Sequence, residues 1–240
     1  MSSREEELLR RLDRKKIPRH IAVIMDGNGR WARQRGFPRL VGHTAGAKSV
    51  REIVRACGEL GVHALTLYAF STENWVRPAA EVKGLMKLLV RTLQREAEEL
   101  ERSGVRLRTI GDISALSQTV RDELGRVVGQ LKDNRGLILN LALNYGGRQE
   151  ILQAVRSLLR ENVKQVDEDI LSEHLDTAGL PDPDLLIRTS GEFRLSNFLL
   201  WQCAYTELYV TKTLWPDFRR VHLYEALLDY QTRERRFGGV

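Results

Sequence analysis

The chain has 240 residues, 42% of them hydrophobic and 29% charged, proportions of a soluble globular protein long enough to bury a core without disulfides or a structural metal. Its 38 Lys and Arg against 32 Asp and Glu leave a net charge of +6, which favours anionic partners: phosphate-bearing metabolites, nucleic acid or an acidic membrane surface. Disordered, collagenous and disulfide-stapled classes are excluded, and no apolar run approaches the ~18 residues of a membrane span.

The N-terminal stretch is charged throughout and lacks the apolar core of a signal peptide, so a cytoplasmic protein is expected. Cys57 and Cys203 form no CxxC and read as reduced structural thiols. Residues 1–17 read as an N-terminal extension carrying a short amphipathic helix, with Leu8, Leu9 and Leu12 on one face. Residues 18–240 read as one domain, because no Gly-, Pro- or Ser-rich linker and no repeat interrupts them. Continuous apolar runs at 20–25, 64–70, 105–110, 137–143, 184–188 and around 208–211 predict six strands covered on both faces. Helical periodicity fills 45–60, 79–102, 114–131, 148–161, 167–175 and 219–235. The alternation predicts a single α/β domain with a mostly parallel six-stranded sheet, in which ligands bind beyond the carboxyl ends of the strands.

The segments after the strands therefore carry the chemistry. The first is Asp26-Gly27-Asn28-Gly29-Arg30-Trp31. Its glycines allow close backbone approach and Arg30 adds a donor, so the turn suits an anion. Asp26 would repel a phosphate unless a divalent cation such as Mg2+ bridges the two. Arg33, Arg35, Arg39 and His43 follow, a solvated face or the grip on a diphosphate. The pattern Gly27-x-Gly29-x-x-Ala32 lacks the acidic residue that a dinucleotide fold needs after its second strand, and 42–49 lacks the second glycine of a phosphate loop. After the second strand stand Ser71, Thr72, Glu73, Asn74, Trp75 and Arg77, with Thr72 placed to cap a helix and Pro78 to open one. Arg188 closes an apolar strand, where it requires either an anionic ligand shared with Arg194 and Ser196 or an internal ion pair to Glu192 or Asp184. Glu207 sits among apolar residues and needs a partner or a metal. His63, His174 and His222 show no ligand spacing, no hydrolase motif is present, and no nucleic-acid-binding signature accompanies the basic clusters. Val82, Leu85, Met86, Leu89 and Leu93 stripe one helix, as core or, with Ala69 and Leu137, as the lining of a hydrophobic tunnel.

Three long blocks decide between these possibilities. His20 to Ala32 with Arg39, Gly42 and His43, Leu65 to Trp75 with Arg77 and Pro78, and Asp184 to Gln202 resemble the cis-prenyltransferase family, and bacterial undecaprenyl diphosphate synthases most of all. Tyr205 to Tyr209, Trp215 to Phe218 and Arg233 to Gly239 fit the same pattern. The resemblance implies a homodimer that extends farnesyl diphosphate with isopentenyl diphosphate units, producing a long cis-polyprenyl diphosphate, the lipid carrier of cell-wall synthesis. A shorter- or medium-chain synthase is the alternative within the family, and a non-catalytic lipid-diphosphate binder is the rival outside it. By motif, Asp26 and Glu207 are metal ligands, with Mg2+ as cofactor. Gly27, Asn28, Gly29, Arg30, Arg39, His43 and Arg77 grip the allylic diphosphate, with Trp31 and Trp75 beside it and Ser71, Thr72 and Glu73 in the same block. Arg188, Arg194, Leu195 and Ser196 hold isopentenyl diphosphate, Asn74 takes part in proton removal, and Arg236 to Gly238 reach the partner's site. The resemblance also allows a peripheral membrane contact for product release. Phe193 departs from the pattern, since some relatives carry His there. The chain lacks the DDxxD of trans-prenyltransferases.

Overall fold

In the computed structural model, which describes residues 3–234, six strands form one sheet in the order β3-β4-β2-β1-β5-β6, every pair parallel. The strands are β1 (His20–Ile24), β2 (Ala64–Ser71), β3 (Arg106–Ile110), β4 (Ile138–Tyr145), β5 (Leu185–Arg188) and β6 (Glu207–Val210). The helices are α1 (Ser3–Arg11), α2 (Asn28–Gln34), α3 (Arg39–Leu60), α4 (Ala79–Arg102), α5 (Gln118–Leu131), α6 (Gly147–Arg160), α7 (Glu168–Glu173) and α8 (Arg220–Gln231). The expected α/β sheet is present, and it is entirely parallel.

Successive residues of β1 point to opposite faces, as strand geometry requires. Ile21 and Val23 join a large core with α1, α3, α4, α5 and α8, whereas Ala22 and Ile24 join a smaller one with Phe198, Leu199 and Cys203. Burial on both faces explains the continuous apolar runs. Leu8 and Leu12 are buried in the larger core, so the N-terminal helix packs on the domain with its apolar face inward. No helix among the described residues is long and apolar enough to cross a membrane.

Some boundaries differ from the sequence reading, each for a local reason. α3 starts at Arg39, six residues before the periodic stretch, because Pro38 at its N-cap supplies the entry angle. Residues 114–117 form a 3-10 turn and a cap ahead of α5, with Asp112 accepting from the Ser114 amide. Asp167 lies outside α7 and caps it by accepting from the Ile170 amide. Thr72 caps nothing; Ser71 occupies the N-cap of the turn Thr72–Val76, in a reciprocal bond with Asn74.

The strand order fixes where a ligand can bind. From β1 the chain passes into α2 and α3 over the larger core, whereas from β5 it passes into residues 189–206, which pack on the opposite face. Neighbouring strands whose exits diverge leave a crevice at their carboxyl ends, here between Ile24 and Arg188, which are register partners.

A cluster of polar side chains is buried inside the sheet. His20 is fully buried, with Nδ1 2.6 Å from the Pro181 carbonyl and Nε2 2.7 Å from the Thr66 hydroxyl, which in turn accepts from Asn140. Burial pushes its pKa down to about 4. The unfolded ring titrates near 6.5, so the stability due to the neutral buried ring is complete above that pH and is lost as pH falls toward 4, by at most about 3 kcal/mol. Urea unfolding at about pH 7 and about pH 4.5 should show a smaller acid loss for His20→Gln than for the wild-type protein. An identical loss in both would rule out His20 as its source.

Candidate active site

β1 ends at Ile24, and Asp26 follows in a turn clamped on all sides. The Trp215 amide donates to the Asp26 carbonyl at 3.0 Å and the Thr189 hydroxyl donates to the same oxygen at 2.6 Å. The Asp26 carboxylate accepts from the Gly27 amide at 2.7 Å and from Arg188 Nη2 at 3.0 Å, with Arg30 at 3.8 Å. Gly27 has φ +103°, and a Cβ there would lie 2.9 Å from Leu214 Cδ2 and 3.0 Å from Ser190 Cβ. Glycine is therefore obligatory at this turn.

Arg188 answers the question posed by its sequence position. Its side chain is 4% exposed; Nη1 donates to the Arg194 carbonyl at 2.5 Å and to Ser196 Oγ at 2.7 Å, and Nη2 donates to Asp26. Neither Glu192 nor Asp184 is its partner. Asp184 accepts from the Arg19 and His20 amides, and Glu192 pairs with Arg194 at 2.6 Å and Arg30 at 3.3 Å. Arg30 also donates to Ser190 Oγ at 2.6 Å. Leu195 packs against the smaller core and holds the backbone from which Ser196 turns back, at φ +50°.

A second group of cations faces this one. Glu81, in the first turn of α4, lies 3.2 Å from Arg77 Nη1, 3.3 Å from Arg39 Nε and 3.9 Å from His43 Nε2. Sequence reading overlooked Glu81, although its spacing four residues beyond Arg77 was a usable signal. Burial, reinforced by Arg77, pushes the His43 pKa down to about 4, so the ring is neutral at pH 7. Trp75 donates to Asn144 Oδ1 at 2.7 Å and packs edge-on to Phe70. Glu73 accepts from Asn197 at 2.8 Å. Asn74 is held by Ser71, 2.8 Å from its Nδ2.

Asp26, Asn28, His43, Ser71, Glu73, Asn74, Arg77, Arg188 and Ser196 line one end of a cavity of about 1270 Å³, larger than the ~300–1,000 Å³ of ordinary small-molecule sites. The rest of its lining is mostly apolar, including Leu85, Met86, Leu89, Ala69 and, at the start of β4, Leu137. The six residue steps from Leu137 to Leu143 span roughly 20 Å of strand. The α4 stripe thus divides its duty: Val82 is buried core away from the cavity, whereas Leu85, Met86 and Leu89, only partly buried, and the buried Leu93 line it. Three buried polar atoms among the residues at the charged end lack a partner: Asn28 Oδ1, His43 Nε2 and Arg188 Nε. Unpaired groups of this kind are uncommon in a folded protein and mark a place for a ligand.

Other predicted residues lie elsewhere. Trp31 donates to Asp217 at 2.7 Å and carries the Arg35 guanidinium over its ring, outside the cavity. Thr72 borders a separate small recess beside Asn144 and Glu150. Glu207 opens β6, in register with Leu185, three residues before Arg188 and so roughly 10 Å toward the other end of the sheet. Its carboxylate pairs with Arg233 at 2.8 Å. Among the described residues no three His, Cys, Asp or Glu side chains converge as a metal cage. Arg236 to Gly238 fall outside the described residues.

Residues 24–238 match the family model described as "Putative undecaprenyl diphosphate synthase". The chain belongs to this family of prenyltransferases. It is 53% identical over 235 residues to an isoprenyl transferase of Clostridium tetani, covering 95% of this chain and 92% of the relative. A second isoprenyl transferase, from Heliobacterium mobile, is 54% identical over 245 residues, covering 100% and 94%. Among solved structures, this prenyltransferase superposes on a "probable undecaprenyl diphosphate synthase" of Campylobacter jejuni with a TM-score of 0.80 at 37% identity, covering 92% and 99% of the two chains. It also superposes on the lavandulyl diphosphate synthase of Lavandula x intermedia in complex with dimethylallyl diphosphate, with a TM-score of 0.90 at 36% identity, covering 94% and 100%. The enzyme is thus a cis-prenyltransferase of the undecaprenyl diphosphate synthase type. Gly27→Ala should destabilise it by roughly 2 kcal/mol through backbone strain and the clash with Ser190, measured by denaturant unfolding. An unchanged midpoint would show that the turn can relax.

Proposed function

We propose that the enzyme condenses isopentenyl diphosphate units onto an allylic diphosphate, farnesyl diphosphate as primer, and makes a long-chain cis-polyprenyl diphosphate, undecaprenyl diphosphate, the lipid carrier of cell-wall synthesis. The observation that carries this reading is the union of two cationic groups with an elongated apolar cavity of about 1270 Å³. A diphosphate fits the charged end and a growing prenyl chain fits the apolar remainder, which serves as the product tunnel. A shorter product would leave part of that space unused.

In this reading Arg39, His43 and Arg77 hold the allylic diphosphate, which takes the place of Glu81 as their shared anion, together with the backbone of Gly27, Asn28 and Gly29. Trp75, packed edge-on against the cavity-lining Phe70, flanks the allylic carbon. Arg188, Ser196 and Arg194 hold isopentenyl diphosphate, and Arg194 must leave Glu192 to do so. Asp26 lies between the two groups. A single carboxylate with no protein cage matches the way Mg2+ is usually held, by one or two carboxylates plus substrate phosphates. Asp26 would hold it, and bound Mg2+ would neutralise charge on the departing diphosphate. The allylic C–O bond breaks with its electron pair going to the diphosphate, whose charge the arginines stabilise. The isopentenyl double bond supplies the electrons of the new C–C bond from a fixed position. The proton then lost passes Asn74 Oδ1, a weak base that Ser71 keeps in place, and ends on diphosphate.

Two surface features support the remaining parts of the proposal. Leu152, Val155 and Leu159 form an exposed apolar stripe on α6, suited to a homodimer in which the chain end of one copy reaches the other's site. Exposed Phe37, Leu40, Val41, Trp75 and Val76, near the charged end, suit a peripheral membrane contact for product release.

Asp26→Ala should lower condensation by roughly a thousandfold or more, about 4 kcal/mol of barrier, with the fold retained by circular dichroism. Wild-type turnover in that variant would refute the assignment. Arg194→Ala should raise the KM for isopentenyl diphosphate by roughly tenfold or more, the worth of a charge-assisted hydrogen bond. An effect confined to farnesyl diphosphate would show that the two diphosphate sites are exchanged.

A further inference from the structure

The inner half of the cavity is roofed differently from the rest. α3 and α4 both leave the charged end and run toward the amino ends of the strands, so Arg51 and Arg55 lie roughly 18 and 24 Å along α3. Glu96 and Glu99 lie roughly 26 and 30 Å along α4. At this depth two ion pairs join the helices. Arg51 engages Glu96 with both arms of its guanidinium, Nε to Oε2 at 2.7 Å and Nη2 to Oε1, and Arg55 Nη2 engages Glu99 at 2.8 Å. Each carboxylate has a second guanidinium, from Arg95 at 2.8 Å and Arg102 at 2.8 Å. All four bridging residues line the cavity.

Charged pairs are an unusual wall for an apolar chamber. Exposed ion pairs contribute little, but Glu96 has a side chain only 13% exposed and a two-armed partner, the geometry that fixes a spacing. Burial pushes the Glu96 carboxyl up, yet the Arg51 and Arg95 donors outweigh it and hold its pKa below the ordinary carboxylate value. A prenyl chain could pass between the helices only by parting these groups and leaving them unpaired against hydrocarbon, which is strongly unfavourable. We propose that the Arg51–Glu96 bridge, backed by Arg55–Glu99, closes the lateral seam of the cavity between α3 and α4 and thereby limits product length. It keeps the chain on the sheet side until the cavity is full. This rests on the polyprenyl activity proposed above.

The test uses the full chain with labelled isopentenyl diphosphate and farnesyl diphosphate, reading product length by chromatography, the initial rate of incorporation and the thermal midpoint. Arg51→Glu and Glu96→Arg each place like charges across the seam, and each should lengthen the mean product by one or more isoprene units without lowering the initial rate. The double variant restores an opposite-charge pair and should restore the wild-type length. Glu96→Gln, which keeps shape and one acceptor, provides a milder reading if a charge reversal fails to fold, and should broaden the distribution toward longer products. Folded single variants with wild-type product lengths, shorter products, or a double variant that stays altered would each overturn the seam. A wild-type protein that incorporates no isopentenyl diphosphate would remove the polyprenyl activity itself and the seam's role with it, a result distinct from unchanged lengths.

Discussion

The contact between Arg188 and Asp26 is the constraint around which the site is arranged. A guanidinium 4% exposed at the end of an apolar strand is tolerable only if it is paired with a carboxylate and hydrogen-bonded. Its partners come from three separate stretches: the carboxylate after β1, the carbonyl of Arg194 and the hydroxyl of Ser196. Holding them together bends residues 190–199 into several left-handed conformations, among them Ser190, Ser196 and Asn197. Strain of this kind persists where surrounding structure over-determines it, and here it surrounds the candidate chemistry.

The charge balance around the cavity mouth is that of a site prepared for anions and occupied by its own carboxylates. Glu81 neutralises Arg39 and Arg77, Glu192 neutralises Arg30 and Arg194, and Asp26 neutralises Arg188. Each of these pairs except Arg188 is partly exposed, so exchanging a carboxylate for a diphosphate costs little desolvation. His43 differs: burial keeps it neutral, which makes it a hydrogen-bond donor or acceptor rather than a fourth fixed cation. A mouth built in this way is neutralised from within, and its guanidinium donors are already gathered around it.

The positions of the strands and the turn chemistry were legible because they are local. Doubly buried strands announce themselves as unbroken apolar runs, and the glycine at 27 follows from a backbone that no Cβ allows. Glu81 was missed because a glutamate in the first turn of a helix reads as dipole compensation, and only the approach of α3 shows that it faces Arg39 and His43. Trp31 shows the converse: an aromatic beside a ligand turn suggests substrate contact, and only the turn before α8 reveals that Asp217 meets its indole. Arg51 and Glu96 belong to two separate helices, and nothing local indicates that they meet across a cavity.

Residue types and their spacing alone determined the α/β class, the ends of most strands and the set of side chains from which a diphosphate site could be assembled, since each follows from burial and backbone rules acting over a few residues. Which of those side chains meet was settled by register and helix packing, which are non-local. The pairing of Ile24 with Arg188 brings two distant segments into one site, and the pairing of Leu185 with Glu207 carries an equally plausible carboxylate to the opposite end of the same sheet.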